Sequence, residues 1–320
     1  MEARFRPVTK RVTIEKIKRA LAGPNAEEMI ESLRSDPRKG VQKLILSWEK
    51  KRAKEHKRQE RTKALYYMVE NAWKRGYRFV AGIDEAGRGP LAGPVVAASV
   101  VLCQDERLPV EDSKKLSAKE RDLLYEEIIQ KSLAYGVGIV SADEIDELNI
   151  YRASRKAMIL SMENCSPQRA DFCFIDAMEL PELRLPQKSL IKGDSRCAAI
   201  AAASIIAKVT RDRIMIEAAE NYPLYAFESN KGYGAEAHLR ALRIHGPSPI
   251  HRLSFSPVKS YVLPSKAFFE KLILRSTSEG SLEETGRLIR NASADLTESE
   301  LHDLREIYRK QKRQFGGRRF

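Results

Sequence analysis

Tyr77-Arg78-Phe79-Val80-Ala81-Gly82-Ile83-Asp84-Glu85-Ala86-Gly87-Arg88-Gly89-Pro90-Leu91-Ala92-Gly93-Pro94 decides the fold. Its first seven residues, Tyr77 to Ile83, read as a short buried strand. Two adjacent carboxylates then run into a loop with three glycines and two prolines. Val95 to Leu102, rich in valine and small residues, reads as the next strand, so the acidic pair falls where a strand ends. Side chains alternate along a strand. Asp84 and Glu85 therefore reach one site only if the backbone leaves the pleat between or just after them. Gly87 and Gly89 allow that bend and the close approach of another backbone.

Outward from this stretch, strands and helices alternate. Ser117-Ala118-Lys119-Glu120 makes a capping box for a helix to about Ser132, and Tyr135 to Val140 reads as a third strand. A second box, Ser141-Ala142-Asp143-Glu144, opens helical sequence to about Asn164 with a break near Asn149. Phe172-Cys173-Phe174-Ile175-Asp176 is a buried strand ending in a carboxylate. Ser189-Leu190-Ile191-Lys192-Gly193-Asp194 repeats that arrangement before a small-residue helix, Ala198 to Arg213. The alternation predicts an α/β fold with a mixed sheet flanked by helices.

The flanks differ from this middle in charge. Residues 1–76 carry a net +11, residues 265–320 carry +3 and the segment between them −1, within a total of +13. That pattern suits a near-neutral catalytic body with segments that attract a polyanion such as nucleic acid, although lysine-rich helices are also simply solvated. Three parts are expected: a basic helical N-terminal extension (1–76), a catalytic domain (77–264) and a helical C-terminal extension (265–320). In the first, Val12 to Ala22 and a segment capped by Asn25 read as short helices. A longer one begins near Val41 and has a charged stretch, Lys50 to Arg61, with no core to face. In the third, Ser281-Leu282-Glu283-Glu284 and Thr297-Glu298-Ser299-Glu300 predict a helical pair, and the basic end from Arg309 reads as disordered.

The N-terminus has no apolar h-region, and the longest apolar stretch, near Cys197 to Ala207, is too short to span a bilayer. A cytoplasmic monomer with no membrane partner is the expectation. Cys103, Cys165, Cys173 and Cys197 lack C-x-x-C spacing and read mostly as buried free thiols.

Asp84, Asp176 and Asp194 share one context, the end of a strand, where ligands of such sheets gather. If the strands are neighbours, these carboxylates and Glu85 converge and repel one another unless divalent cations neutralise them. All-oxygen ligands favour Mg²⁺ or Mn²⁺ over zinc. Each acid has an ordinary reading too: Asp194 as a helix cap, the others as solvated loop residues.

Four motifs in order carry a resemblance. They are Asp84 to Pro94; Asp112 to Ser117; Lys192-Gly193-Asp194 with Ile200 to Asp212; and Lys231-Gly232-Tyr233-Gly234 with His238 and His251-Arg252. Over about residues 77–260 the chain resembles bacterial ribonuclease HII. Ser35 to Lys57 is also similar to the N-terminal extension of some Gram-positive members. The resemblance implies a ribonuclease H-like fold and a four-carboxylate site on Asp84, Glu85, Asp176 and Asp194, with two divalent ions, Mg²⁺ or Mn²⁺, during catalysis. It implies hydrolysis of RNA in RNA·DNA hybrids and nicking 5′ of ribonucleotides embedded in duplex DNA, leaving 3′-hydroxyl and 5′-phosphate ends. Gly87, Arg88 and Gly89 would read the 2′-hydroxyl and Tyr233 would stack at the RNA-to-DNA junction. Ser113, Lys114, Lys115, Lys192 and Lys208 are candidate phosphate contacts. His238, His245 and His251 read as structural or substrate-positioning groups. Two departures stand out: Ala177 follows Asp176 where many members have glycine, and Arg196-Cys197-Ala198 replaces smaller polar residues.

Competing readings are a ribonuclease HIII-like enzyme and a non-catalytic nucleic-acid binder. Arg88 between two glycines, where the HIII family tends to carry lysine, argues against the first. The intact acidic residues argue against the second. A nucleotide-binding loop is weaker still, because the glycines fit neither G-x-G-x-x-G nor G-x-x-x-x-G-K-[ST].

Overall fold

A computed structural model describes residues 12–23, 26–110, 113, 116–166, 169–261, 266–276, 278–293 and 296–316. The chain divides into two compact units, Met1–Leu65 and Tyr66–Phe320.

The first unit holds α1 (Ile14–Ala20), α2 (Ala26–Leu33) and most of α3 (Lys39–Lys74). Thr13 caps α1, its hydroxyl accepting the Lys16 N–H. Ile17, Ile30, Val41 and Ile45 close a small apolar cluster. Beyond it, Lys50–Arg61 of α3 is almost wholly exposed, as a charged stretch with no core to face must be. Asn25, the expected cap of α2, lies outside the described residues.

The second unit is built on five strands: β1 (Val80–Ala86), β2 (Val95–Val101), β3 (Ala134–Val140), β4 (Phe172–Asp176) and β5 (Gln187–Leu190), in the order β3-β2-β1-β4-β5. β1 pairs antiparallel with β2 and parallel with β4, and so occupies the centre. Between and after the strands run α4 (Ala118–Lys131), α5 (Ala142–Leu148), α6 (Ile150–Glu163) and α7 (Ala198–Asn221). Every residue of β2 is buried, because α6 covers one face of the sheet and α7 the other. The approach is close enough to demand glycine. A Cβ on Gly82 would stand 2.0 Å from the Ala199 carbonyl carbon, and one on Gly138 2.0 Å from the Ala157 oxygen. On the α7 side the match is made by a run of small and branched residues, Ala198 to Ala207, buried all round.

Strand expectations shift at β1 and at β5, which covers Gln187–Leu190 and so ends four residues before Asp194. β1 begins at Val80 because the N–H groups of Arg78 and Phe79 are held by the Asp171 carboxylate (2.7 and 3.0 Å) instead of by a neighbouring strand. It then runs on through Asp84 and Glu85, in register to Ala86 opposite Val96, so the carboxylates lie inside the strand and the bend comes just after them. Both Ser117 and Ser141 form the expected capping boxes, and Asn149, at φ +69°, separates α5 from α6 and caps the latter.

Beyond α7, α8 (Phe227–Asn230) and α9 (Glu236–His245) pack with Leu91, Met215 and Val258 around Phe227 and Leu242. Three helices follow, α10 (Lys266–Arg275), α11 (Glu279–Asn291) and α12 (Glu298–Gly316), around Phe269, Ile273, Leu282, Leu296 and Leu304. α11 is capped by Ser278 instead of Ser281, whose N–H the Ser278 hydroxyl accepts. The Thr297–Glu300 box forms as expected. Arg309–Arg313, expected to be disordered, lies within α12, whose apolar stripe packs Leu304, Ile307 and Tyr308 into this cluster. Lys271 and Arg275 reach Asp143 of α5 at 3.0 and 2.8 Å. The four cysteines are free, and Cys103 alone among them is not fully buried. No helix among the described residues is long and apolar enough to cross a membrane.

Candidate active site

Strand alternation sends Asp84 toward α7, where Ser204 hydrogen-bonds its carboxylate, and Glu85 follows it at the end of β1, close enough for the two charges to repel. Asp84 is 5% exposed. Burial first, then the nearby charges of Glu85 and Asp176, push it well above the ordinary carboxylate value. Glu85 is pushed up to about 6, by burial above all; Arg88 opposes this and Asp176 adds to it. Arg88 Nη1 stands 3.4 Å from Glu85 Oε1, while Glu85 Oε2 is buried with no hydrogen-bond partner. Parallel pairing of β4 with β1 is what brings Asp176 beside the pair.

Asp176 ends β4, and its Oδ1 accepts the Gly193 N–H at 2.6 Å. That bond anchors the short 3₁₀ turn Gly193–Ser195, in which Asp194 is 5% exposed. Asp194 is not the cap of α7, which starts four residues later after Cys197. The structure thus joins Asp84, Glu85 and Asp176 through mutual repulsion and sets Asp194 next to the residue that Asp176 holds. Among the described residues no three His, Cys, Asp or Glu groups form a closed set of metal ligands. The buried, partnerless oxygen of Glu85 and the repulsion at Asp84 nonetheless fit a divalent cation at this sheet end. Ala177 takes a left-handed conformation (φ +49°), which glycine adopts without strain.

The glycine-rich loop is held from behind by two fully buried arginines. Arg252 donates to the carbonyls of Gly87 (2.6 Å), Arg88 (3.0 Å) and Gly93 (3.0 Å). Arg211, on α7, donates to Pro94, Ala92 and Lys231. Gly87 sits at φ +96°, and a Cβ there would meet Arg211 Nε at 2.2 Å. Arg88 and Gly89 are exposed. Tyr233 is brought to this loop: a Cβ on Gly89 would lie 3.9 Å from Tyr233 Cε1, and the residue is 46% exposed.

The candidate phosphate contacts fare unequally. Lys192 is exposed, in a left-handed conformation (φ +55°) beside Gly193. Lys208 stands 5.9 Å from the Tyr233 ring centre but also pairs with Asp212 at 2.7 Å. Ser113 is buried with its hydroxyl 3.0 Å from that of Ser204, placing it behind Asp84. Lys114 and Lys115 lie outside the described residues.

His251 Nδ1 accepts the Ser248 N–H at 2.8 Å. Its Nε2 therefore carries the proton and donates to His238 Nε2 (2.8 Å), which leaves His238 Nδ1 to donate to the Tyr233 carbonyl (2.8 Å). The chain of neutral tautomers supports the tyrosine loop. His245 closes α9 at the surface, away from this chain. Cavities of about 410 and 360 Å³ among the C-terminal helices are lined by none of the four acids.

Sequence reasoning assigns no role to Ser204, Arg211 or Arg252. Helical spacing carried a signal of burial, though not of bonding partners, for the first two: Ser204, Arg211 and Met215 recur at intervals of seven and four on the side of α7 that faces the sheet and loop, and nothing comparable marks Arg252.

Residues 81–258 match the family described as Ribonuclease HII, and residues 13–73 match its N-terminal domain. The Ribonuclease HII of Bacillus licheniformis is 49% identical over 257 residues, spanning 79% of this chain and 99% of that protein. That of Bacillus subtilis is 49% identical over 236 residues, 73% and 92% of the two chains. Among solved structures, ribonuclease H2 from Pyrococcus horikoshii superposes with a TM-score of 0.50 at 26% identity, covering 57% of this chain and 96% of that one. Helices α10 to α12 lie beyond both matched segments. Fold, motifs and relatives agree over the body of the molecule, and the chain belongs to the ribonuclease HII family.

Proposed function

We propose that the protein is an endonuclease that hydrolyses RNA in RNA·DNA hybrids and nicks 5′ of single ribonucleotides in duplex DNA, leaving 3′-hydroxyl and 5′-phosphate ends. The observation that carries this reading is the crowding of Asp84, Glu85 and Asp176 at one sheet end with a buried oxygen left unsatisfied. Asp84, Glu85, Asp176 and Asp194 would hold two divalent cations, Mg²⁺ or Mn²⁺. Such ions, typically about 3.5 to 4 Å apart, stabilise the attacking and leaving oxygens of a phosphodiester displacement.

The chain's own residues do the selecting. Arg252 and Arg211 draw the loop carbonyls inward, which leaves Arg88 and Gly89 exposed for a ribose. A 2′-hydroxyl both donates and accepts, so backbone groups distinguish it from a deoxyribose. Tyr233 offers a half-exposed ring beside that loop for stacking on a sugar or base. Lys192, Lys208 and the Ser113–Lys115 loop would meet phosphates. We assign substrate attraction to the basic segment 1–76, chemistry to 77–264 and a supporting role to 265–320, in a cytoplasmic monomer.

Cleavage of a DNA duplex with one ribonucleotide and of an RNA·DNA hybrid, each with and without Mg²⁺ or Mn²⁺, tests the proposal. Cation-dependent cutting of both is expected. Cutting of the hybrid alone would support the HIII-like reading, and binding without cutting would leave only a nucleic-acid binder. Independently of activity, Mg²⁺ or Mn²⁺ should raise the thermal midpoint of the wild type and leave that of Asp176→Asn little changed.

A further inference from the structure

Arg211 bridges two segments that are far apart in sequence. Its Nε donates to Pro94 O (3.0 Å) and its Nη2 to Ala92 O (3.0 Å), both in the glycine-rich loop. Its Nη1 donates to Lys231 O (2.9 Å), two residues before Tyr233. One rigid planar fork therefore fixes both walls of the space between Gly89 and Tyr233. A direct bond, Leu91 N–H to Gly232 O at 2.8 Å, crosses the same junction. Arg252 differs, since its side chain holds only Gly87, Arg88 and Gly93 and shapes the loop without reaching the tyrosine segment.

We propose that Arg211 is a positioning residue that sets the gap between the Gly87–Gly89 loop and Tyr233, and through that gap the stringency with which a lone ribonucleotide is selected. The inference rests on the function proposed above and deepens it. A hybrid strand presents a 2′-hydroxyl at every nucleotide, so a gap set wrongly can be accommodated by binding in another register. A duplex with one ribonucleotide offers a single register, and there a misplacement of about 1 Å costs on the order of 10²-fold. Lysine in place of Arg211 keeps the charge but cannot direct donors at three fixed carbonyls in one plane. Discrimination should suffer more than catalysis.

The test uses the full chain with Arg211→Lys, comparing kcat/KM on the two substrates, alongside amide hydrogen exchange of Leu91. The expected result is a loss on the single-ribonucleotide duplex at least about tenfold greater than the loss on the hybrid. Leu91 exchange should accelerate while that of Val96 and Ala97 in the sheet stays slow. If Arg211→Lys does not fold, Arg211→Gln, with two N–H donors and no charge, gives the same comparison. Equal losses on both substrates would make Arg211 merely structural and overturn the selectivity claim. Unchanged Leu91 exchange would overturn the bridge itself. A wild-type chain that cuts neither substrate would overturn the proposed function, and the exchange result would still decide whether the bridge exists.

Discussion

Two groups of buried charge meet at the end of β1 and the loop that follows it, and they are built in opposite ways. Asp84, Glu85 and Asp176 are like charges crowded at a sheet end, with one oxygen left without a partner. Arg211 and Arg252 are more deeply buried, yet six guanidinium N–H bonds end on backbone carbonyls. Burial alone does not tell function from structure; satisfaction does. The arginines are complete as they stand, whereas the carboxylates call for a counter-charge.

The sharpest break of that contrast is Asp84→Asn. Cleavage should fall on the order of 10³-fold, while the thermal midpoint, measured without divalent cations, rises because a repelling charge is gone. Activity within tenfold of wild type, or a lower midpoint, would erase the distinction. Arg252→Met should do the reverse to stability. Three carbonyls lose their donors, and urea unfolding should show a loss of ~3–5 kcal/mol. A smaller, pH-dependent effect comes from the histidines. Burial, then the neighbouring His238, lowers His251 to about 3. The unfolded chain therefore binds the extra proton between about pH 6.5 and 3, so stability is full above that window and falls as pH drops through it, by about 2 kcal/mol at pH 5. His251→Gln should flatten that slope, and an unchanged slope would assign the acid sensitivity elsewhere. Smallest is Asp143→Asn. It removes two half-exposed ion pairs to α10, costing about 1 kcal/mol or less with cleavage unaltered. A large loss of activity there would tie the C-terminal helices to the reaction.

Local features were legible in the sequence. β4 spans Phe172–Asp176 as read, and both early capping boxes form, because strand patterning and caps depend on residues within one turn or pleat. The bend after Asp84 and Glu85 was legible for the same reason, whereas the approach of Asp176 to that pair depends on the parallel pairing of β4 with β1. β1 slid because Asp171, ninety-odd residues away, brackets the N–H groups of Arg78 and Phe79. α11 starts a turn before the expected Ser281 box, capped by Ser278, so that Leu282 lies inside the helix and packs into the C-terminal cluster. Least legible were Arg211 and Arg252, since arginine on a helix or in a loop ordinarily faces water. Their acceptors are carbonyls, which no side-chain pattern records.

The order of strands in the sheet also has a consequence for how the chain folds. β1, β2 and β3 are neighbours in sequence as well as in space, an antiparallel meander complete by Val140 that holds only the first two acids. Asp176 and Asp194 arrive later, on β4 and on the turn after β5, by parallel pairings that must close long loops. The local half of the sheet is thus defined by short-range pairings, and the acidic cluster by long-range ones. The crowding of like charges at the sheet end is therefore completed only by the non-local pairing of β4 with β1, and the local meander holds no more of it than the Asp84–Glu85 pair.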